Sequence, residues 1–384
     1  MPVPEHDPAD WERLSQQYRD YARFELTSHG SPIYAAICAR LADDQPTGSL
    51  ALDAQPGFRT PLILLAAVHH LLLSGLTHPL AAYYPSAVGA DARPIDDDLY
   101  PAFAGFIADH RAAVTDRVAM HTTQTNEARR TVLLVPPLGL IAGEAGAPIA
   151  LLEVGASAGL NLLPDRYGFT IGAEPCGDHD SPVQIACAVE GMLRPPVPAA
   201  VPAIGWRAGL DVHPLDIRSP DTVAWLRALI WPEHLDRMAI LDGAAALAAA
   251  DPPRLVPGDL ADDLPALAAE APAGMPLVVT DTWVLAYVTT ERRLDFVRAL
   301  RRIAAERGAP IWLISCEGQA VLASLELGIG SAPDDGSGGF SALSLHRFDP
   351  DGATRHDLLA ECHAHGRWLR WLDPGTAAPS GAGA

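Results

Sequence analysis

Residues 149–167 read IALLEVGASAGLNLLPDRY. The apolar run Ile149 to Leu152 ends in an acid, Glu153, followed by the small-residue stretch Gly155-Ala156-Ser157-Ala158-Gly159 and then by apolar residues at helical spacing. A buried strand, a tight turn and a helix start in succession bring main chain close to a ligand at a strand's carboxyl end. The glycines leave room, and the first helical N–H groups point outward unpaired. A carboxylate just before the turn suits a ligand carrying hydroxyls or positive charge better than one carrying phosphates.

Three readings follow. As Glu-x-Gly-x-x-x-Gly, the string resembles the first motif of S-adenosylmethionine-dependent methyltransferases, on a Rossmann-like fold. As Gly-x-Ser-x-Gly, it is a nucleophile elbow with Ser157 as the attacking serine of an α/β hydrolase. In the third reading the domain is catalytically silent and binds a protein through a helical half. The order Ser157, Asp281, then a later histidine (His346, His356, His363 or His365) fits the hydrolase. Against it stand the lack of a His-Gly-Gly-Gly-type segment, a helical N-terminal third where strands should precede the elbow, and Glu153 near the would-be oxyanion hole.

Composition narrows the field. The chain has 384 residues, 49% hydrophobic, with a net charge of −20. That length predicts a main domain plus an appendage. The charge argues against nucleic acid as a partner, because phosphates must be neutralised by basic side chains. There is no lysine; all 27 basic residues are arginine. Schiff-base chemistry, pyridoxal phosphate attachment and the P-loop and kinase lysines are thereby excluded. The five cysteines (Cys38, Cys176, Cys187, Cys316, Cys362) form no C-x-x-C pair and read as free thiols in a reducing cytoplasm. The polar, acidic N-terminus does not read as a signal peptide, so none is expected, and the longest apolar stretch, Pro61 to Leu76, is too short to span a bilayer. The expectation is a cytoplasmic protein that has no membrane partner and acts on a small molecule, with its oligomeric state open. No convergent set of three or four metal ligands stands out, so no metal is expected.

Residues 1–130 read as an all-helical domain, with helices over Trp11 to Leu26, Ile33 to Leu41 (Ser31-Pro32 as its cap), Pro61 to Leu73 and Tyr100 to Thr122. Phe103, Phe106, Ile107, His110 and Val114 are the inward candidates of the last. The apolar run from Thr131 meets Pro136-Pro137, which predicts a bend. Residues 131–374 read as α/β. The strands after Ile149 fall at Arg207 to Pro214, Pro253 to Asp259, Met275 to Thr280 and Pro310 to Ser315, with a helix over Glu291 to Arg307 stopped by Gly308. Alternation of this kind predicts a mostly parallel sheet covered on both faces. An insertion at about 169–205 would carry a hairpin of Phe169 to Gly172 and Val183 to Val189. Ser341 to Arg347 and His356 to Ala364 would form a C-terminal antiparallel hairpin at the sheet edge. The loop Ser331 to Gly339 and the tail 375–384 read as irregular, the tail as disordered.

QTNEARR (124–130), EVGASAGLNLLPDRY (153–167), RAGLDVHPLD (207–216), WLRALIWPEH (225–234) and PRLVPGD (253–259) together resemble an uncharacterised bacterial family, over nearly the whole chain. The resemblance implies a methyltransferase-like Rossmann domain behind a helical one. Adenosylmethionine would then lie against Gly155, Ala156, Ser157 and Gly159, with Asn161 beside them and Glu153 near its amino group. Asp211, with Asp216 behind it, would take the ribose hydroxyls, although the usual spacing from the glycine turn is only about 20 residues. Asp259 would take the adenine amine. Asp281 would act as general base or positioning group, with Trp283 and Tyr287 as pocket walls. Gln124, Glu127 and Arg130 at i, i+3 spacing predict a helix over the ligand, with Asn126 and Arg130 facing inward.

Overall fold

A computed structural model describes residues 6–27, 30–146, 148–327 and 341–373. The expected 331–339 loop and the 375–384 tail lie outside the described residues. Contacts divide the chain into two units, one of residues 1–125 and 219–239, the other of 126–218 and 240–384.

The first unit is helical. Pro8–Asp20 runs on into the wider π turns of Tyr21–Leu26, and Pro32–Leu41, Pro61–Leu73, Leu99–Asp109, Arg111–Met120 and Pro220–Ala228 follow. Pro32 opens its helix as expected, but Ser31 does not cap it; its hydroxyl donates to Glu233 at 2.9 Å. The Tyr100 to Thr122 stretch is two helices meeting at His110. Phe103, Phe106, Ile107 and Val114 are buried, while His110 is partly exposed. Tyr18, Tyr34, Tyr83 and Tyr84 join them in the core.

The second unit holds a mixed sheet of eleven strands, mostly parallel. These are β1 (Ile149–Val154), β2 (Gly168–Ile171), β3 (Glu174–Gly177), β4 (Gln184–Glu190), β5 (Ile204–Asp211), β6 (Arg254–Pro257), β7 (Leu277–Thr282), β8 (Ile311–Gly318), β9 (Ser341–Phe348), β10 (Thr354–Cys362) and β11 (Trp368–Trp371). Their order is β3-β2-β4-β11-β10-β9-β8-β7-β1-β5-β6. β6, β5, β1, β7 and β8 are parallel to one another. Within this block the order reverses between β1 and β7: from β1 the chain steps outward to β5 and β6, then returns to the other side of β1 for β7 and β8. Every residue of β1 is buried. One face packs Leu152, Val154, Val279 and Leu313 against Phe296, Leu300 and Ile303 of the Thr290–Arg307 helix. That helix stops at Gly308, whose φ of 62° is left-handed, as expected.

Four local expectations are corrected. No α-helix follows the glycine turn. Leu160–Leu162 and Pro164–Arg166 are single 3-10 turns, because Pro164 lacks an N–H and sits where a second helical turn would form. Conversely, Pro136 and Pro137 do not bend the chain out of helix; both lie buried inside Thr131–Ala145, as do Val132, Leu133, Leu134 and Ile141 of the same helix. Tertiary burial outweighs the two lost main-chain bonds there. The 169–172 and 183–189 runs do not form a hairpin. β2 turns at Gly172 (φ 64°) and Ala173 straight into β3, and β4 returns parallel to β2. A two-residue turn with positive φ is the natural link between antiparallel strands. Finally, the β9–β10 hairpin is no edge: β11 pairs antiparallel with β10 and parallel with β4, so the hairpin lies mid-sheet.

Candidate functional site

The carboxyl ends of β1 and β7 meet at the reversal of strand order. Glu153 pairs with Thr280 and Val154 with Asp281, so the two acids stand one residue apart on neighbouring strands and face opposite sides of the sheet.

On the first side, Glu153 is 1% exposed. Its Oε1 accepts from Asn161 Nδ2 at 3.0 Å, and that nitrogen also lies 3.4 Å from Thr282 Oγ1. Among the described residues, Glu153 Oε2, Asn161 Oδ1 and Ser157 Oγ are buried without a hydrogen-bond partner. Burial pushes the Glu153 carboxyl up to about 8; the Asp211 charge adds to this, while the Asn161 hydrogen bond and the Arg130 charge pull the other way.

On the second side, Asp281 Oδ1 accepts from Ser315 Oγ at 2.8 Å. Glu317, near the end of β8, accepts through Oε1 from the Val284 and Leu285 amides, each at 2.7 Å. Among the described residues, Asp281 Oδ2 and Glu317 Oε2 receive no donor from any other group, and the two carboxyls interact with each other. Burial and then the Glu317 charge raise Asp281 well above the carboxylate range, and burial raises Glu317. Two buried carboxyls in contact hold one proton between them more readily than two charges.

Backbone strain gathers here too. Ser157 (φ 53°) and Trp283 (φ 59°) are two of the three non-glycine residues with positive φ among those described. Such conformations persist only where surrounding structure enforces them.

The expected donors of the glycine turn are occupied. Gly155 and Ala156 N–H donate to Leu210 O, Ser157 N–H to Asp211 Oδ2 at 2.8 Å, and Leu160 N–H to Asn126 Oδ1 at 2.9 Å. Asp211 is 6% exposed, and its other oxygen accepts from the His213 amide at 2.8 Å, so both oxygens hold main chain. The space at Gly155 is also taken: a Cβ there would stand 2.6 Å from Val284 Cβ. At Gly159 it would stand 2.6 Å from Pro253 Cγ. Asp259 lies apart on the partly exposed loop after β6, accepting from the Ala261 and Asp262 amides and paired with Arg292. Asp216 is exposed and paired with Arg218.

Asn126 and Arg130 are brought to the site, but not on a helix. Residues 121–127 are irregular and Ala128–Arg130 is one 3-10 turn. Arg130 is buried, donating from Nε to Ala364 O and from Nη1 to Thr282 O, both at 3.0 Å. Its charge reaches both Glu153 and Glu317. Trp283 donates from Nε1 to Ser341 Oγ at 2.9 Å; Tyr287 is 79% exposed and forms no wall.

Sequence reasoning missed Glu317, Ser315 and Thr282. The signal for Glu317 was present: an acid directly after PIWLIS-Cys, within one pleat of an apolar strand. Ser157 Oγ has no hydrogen-bond partner, an imidazole included, among the described residues. Among the described residues, no group of three or more His, Cys, Asp or Glu is placed to hold a metal ion, and no helix is long and apolar enough to cross a membrane.

A family model described as "Uncharacterized protein conserved in bacteria (DUF2332)" matches residues 15–371. No curated protein and no solved structure matches the chain.

Proposed function

The chain belongs to the DUF2332 family conserved in bacteria, and from that premise we propose that its sheet-bearing unit binds S-adenosylmethionine and transfers a methyl group to a small molecule. One observation carries the reading: unpartnered buried Glu153 Oε2 and Asn161 Oδ1 beside the β1–β7 reversal, under a buried acid and not a basic cluster. Open α/β sheets bind ligands at such a reversal, and the β6-β5-β1-β7-β8 order is that of doubly wound nucleotide-binding sheets. Buried polar atoms without partners call for a ligand or ordered water.

The unpartnered acceptors fit a cationic nucleoside. Glu153 Oε2 would accept from the ammonium of the methionine portion, whose positive charge favours the ionised carboxylate, and Asn161 Oδ1 would be a second acceptor. The bound group supplies an electrophilic methyl on a sulfonium. The chain's own contributions are orientation, exclusion of water and a carboxyl pair, Asp281 with Glu317, able to hold or release a proton. Asp211 acts indirectly, fixing Ser157 and the turn.

Calorimetric titration of the full chain with adenosylmethionine and adenosylhomocysteine tests the proposal. Saturable binding, weakened by about tenfold or more in Glu153→Gln, is expected. No heat at millimolar ligand refutes it. Labelling by a fluorophosphonate probe that disappears in Ser157→Ala would instead establish the hydrolase.

A further inference from the structure

The residues that fill the space above Gly155 form one short segment. β7 ends at Thr282; Trp283 takes φ 59°, and its N–H donates to Cys316 O at 3.0 Å. The chain then crosses the end of β1 and sets Val284 directly over Gly155, where no side chain on residue 155 would fit. Leu285 is buried in the core cluster, against which Val284 also packs, and Leu285–Tyr287 closes as a single 3-10 turn. One side chain accounts for this course. Glu317 takes the consecutive amides of Val284 and Leu285 on the same oxygen. Arg293 adds a bond from Nε to Leu285 O at 2.8 Å.

We propose that Glu317 is a positioning residue that latches residues 283–287 as a cover over the Gly155 turn, and that a ligand reaches the turn only when Val284 withdraws. The inference rests on the adenosine-binding reading above, which needs the space that Val284 fills. It explains how a turn with the composition of a ligand cradle is packed against its own chain. Two consecutive amides on one carboxylate oxygen hold the segment firmly, because charge-assisted bonds exceed neutral ones in strength. The left-handed Trp283 stores strain that favours release once the latch opens. The groups facing the latch carboxylate are Asp281 from β7 and Arg130 from the segment before the Thr131–Ala145 helix. A closed cover lowers apparent affinity by the fraction of molecules that stand open.

Hydrogen exchange and calorimetry on the full chain separate the possibilities. In Glu317→Ala, exchange at the Val284 and Leu285 amides should rise at least about tenfold while Val278 and Val279 in β7 keep their protection, which shows that the fold survives. In Val284→Ala, which keeps the latch, adenosylhomocysteine should bind at least about fivefold more tightly than in wild type. Unchanged exchange in Glu317→Ala overturns the latch whatever binds. Equal affinity in wild type and Val284→Ala overturns the cover while the adenosine reading stands. Absence of binding in every form, with exchange altered as expected, overturns the adenosine reading and leaves the latch in place.

Discussion

A carboxyl removed from water resists ionisation, and Glu153 is such a group. Its folded value of about 8 stands above the ordinary 4.5. Between those two values the unfolded chain releases the proton while the folded chain keeps it. Stability therefore falls as pH rises from about 4.5 and levels off above about 8, by an amount on the order of 5 kcal/mol. Glu153→Gln keeps an oxygen for Asn161 and removes the titration. It should melt higher than wild type at pH 8 and close to wild type at pH 4.5; an equal gain at both would show that ionisation is not the cause. The same substitution should weaken ligand binding, a trade of function against stability common at polar sites. Glu153 and the glycine turn were legible because a lone acid between a buried strand and a small-residue turn is a local pattern. Glu317 carried the signal of an acid after a buried strand, but its role was not legible, because that role depends on amides 32 and 33 residues away.

At the scale of elements, the central parallel strands β1, β7 and β8 could be read directly, since strands buried on both faces leave continuous apolar runs. What escaped were elements whose form depends on neighbours. The Thr131–Ala145 helix carries two prolines that local rules forbid, and β3 and β11 have four residues each, too few for a pattern. The outer strands are short and end in or contain proline (Pro175 in β3, Pro257 in β6), which discourages pairing with other chains. Close packing also explains one glycine that no motif required. A Cβ on Gly209 in β5 would collide with Ala156 Cβ and stand 2.7 Å from Leu255 Cδ2. Gly209→Ala should cost about 1–3 kcal/mol in urea unfolding and disturb the amide resonances of residues 155–157. An unaltered midpoint would mean that the turn yields freely, and the site would not be rigid.

Over the whole molecule, the helical unit is not a contiguous stretch. It needs residues 219–239, which arrive after five strands of the sheet have been made. Ala228 O meets His69 Nδ1 at 3.0 Å, Glu233 accepts from Ser31 and Ile33, and Trp225 stacks on His121 with ring centroids 3.9 Å apart. Residues 1–125 made alone should show reduced helicity and no cooperative melt, and addition of a 219–239 peptide should restore both. A cooperative melt of 1–125 unaided, unaffected by the peptide, would show that those contacts are dispensable. Sequence reasoning grouped residues by adjacency, and long-range return of this kind leaves no periodicity to detect.

The pairing of β4 with β11 joins residues 188–190 to 368–370. During translation, then, the β2–β3–β4 ribbon emerges early and waits for nearly half the protein to be synthesised before its inner edge finds a partner. In that interval the ribbon presents open main-chain groups to every neighbouring polysome product. A ribosome stalled shortly before Trp368 would leave this hazard permanent.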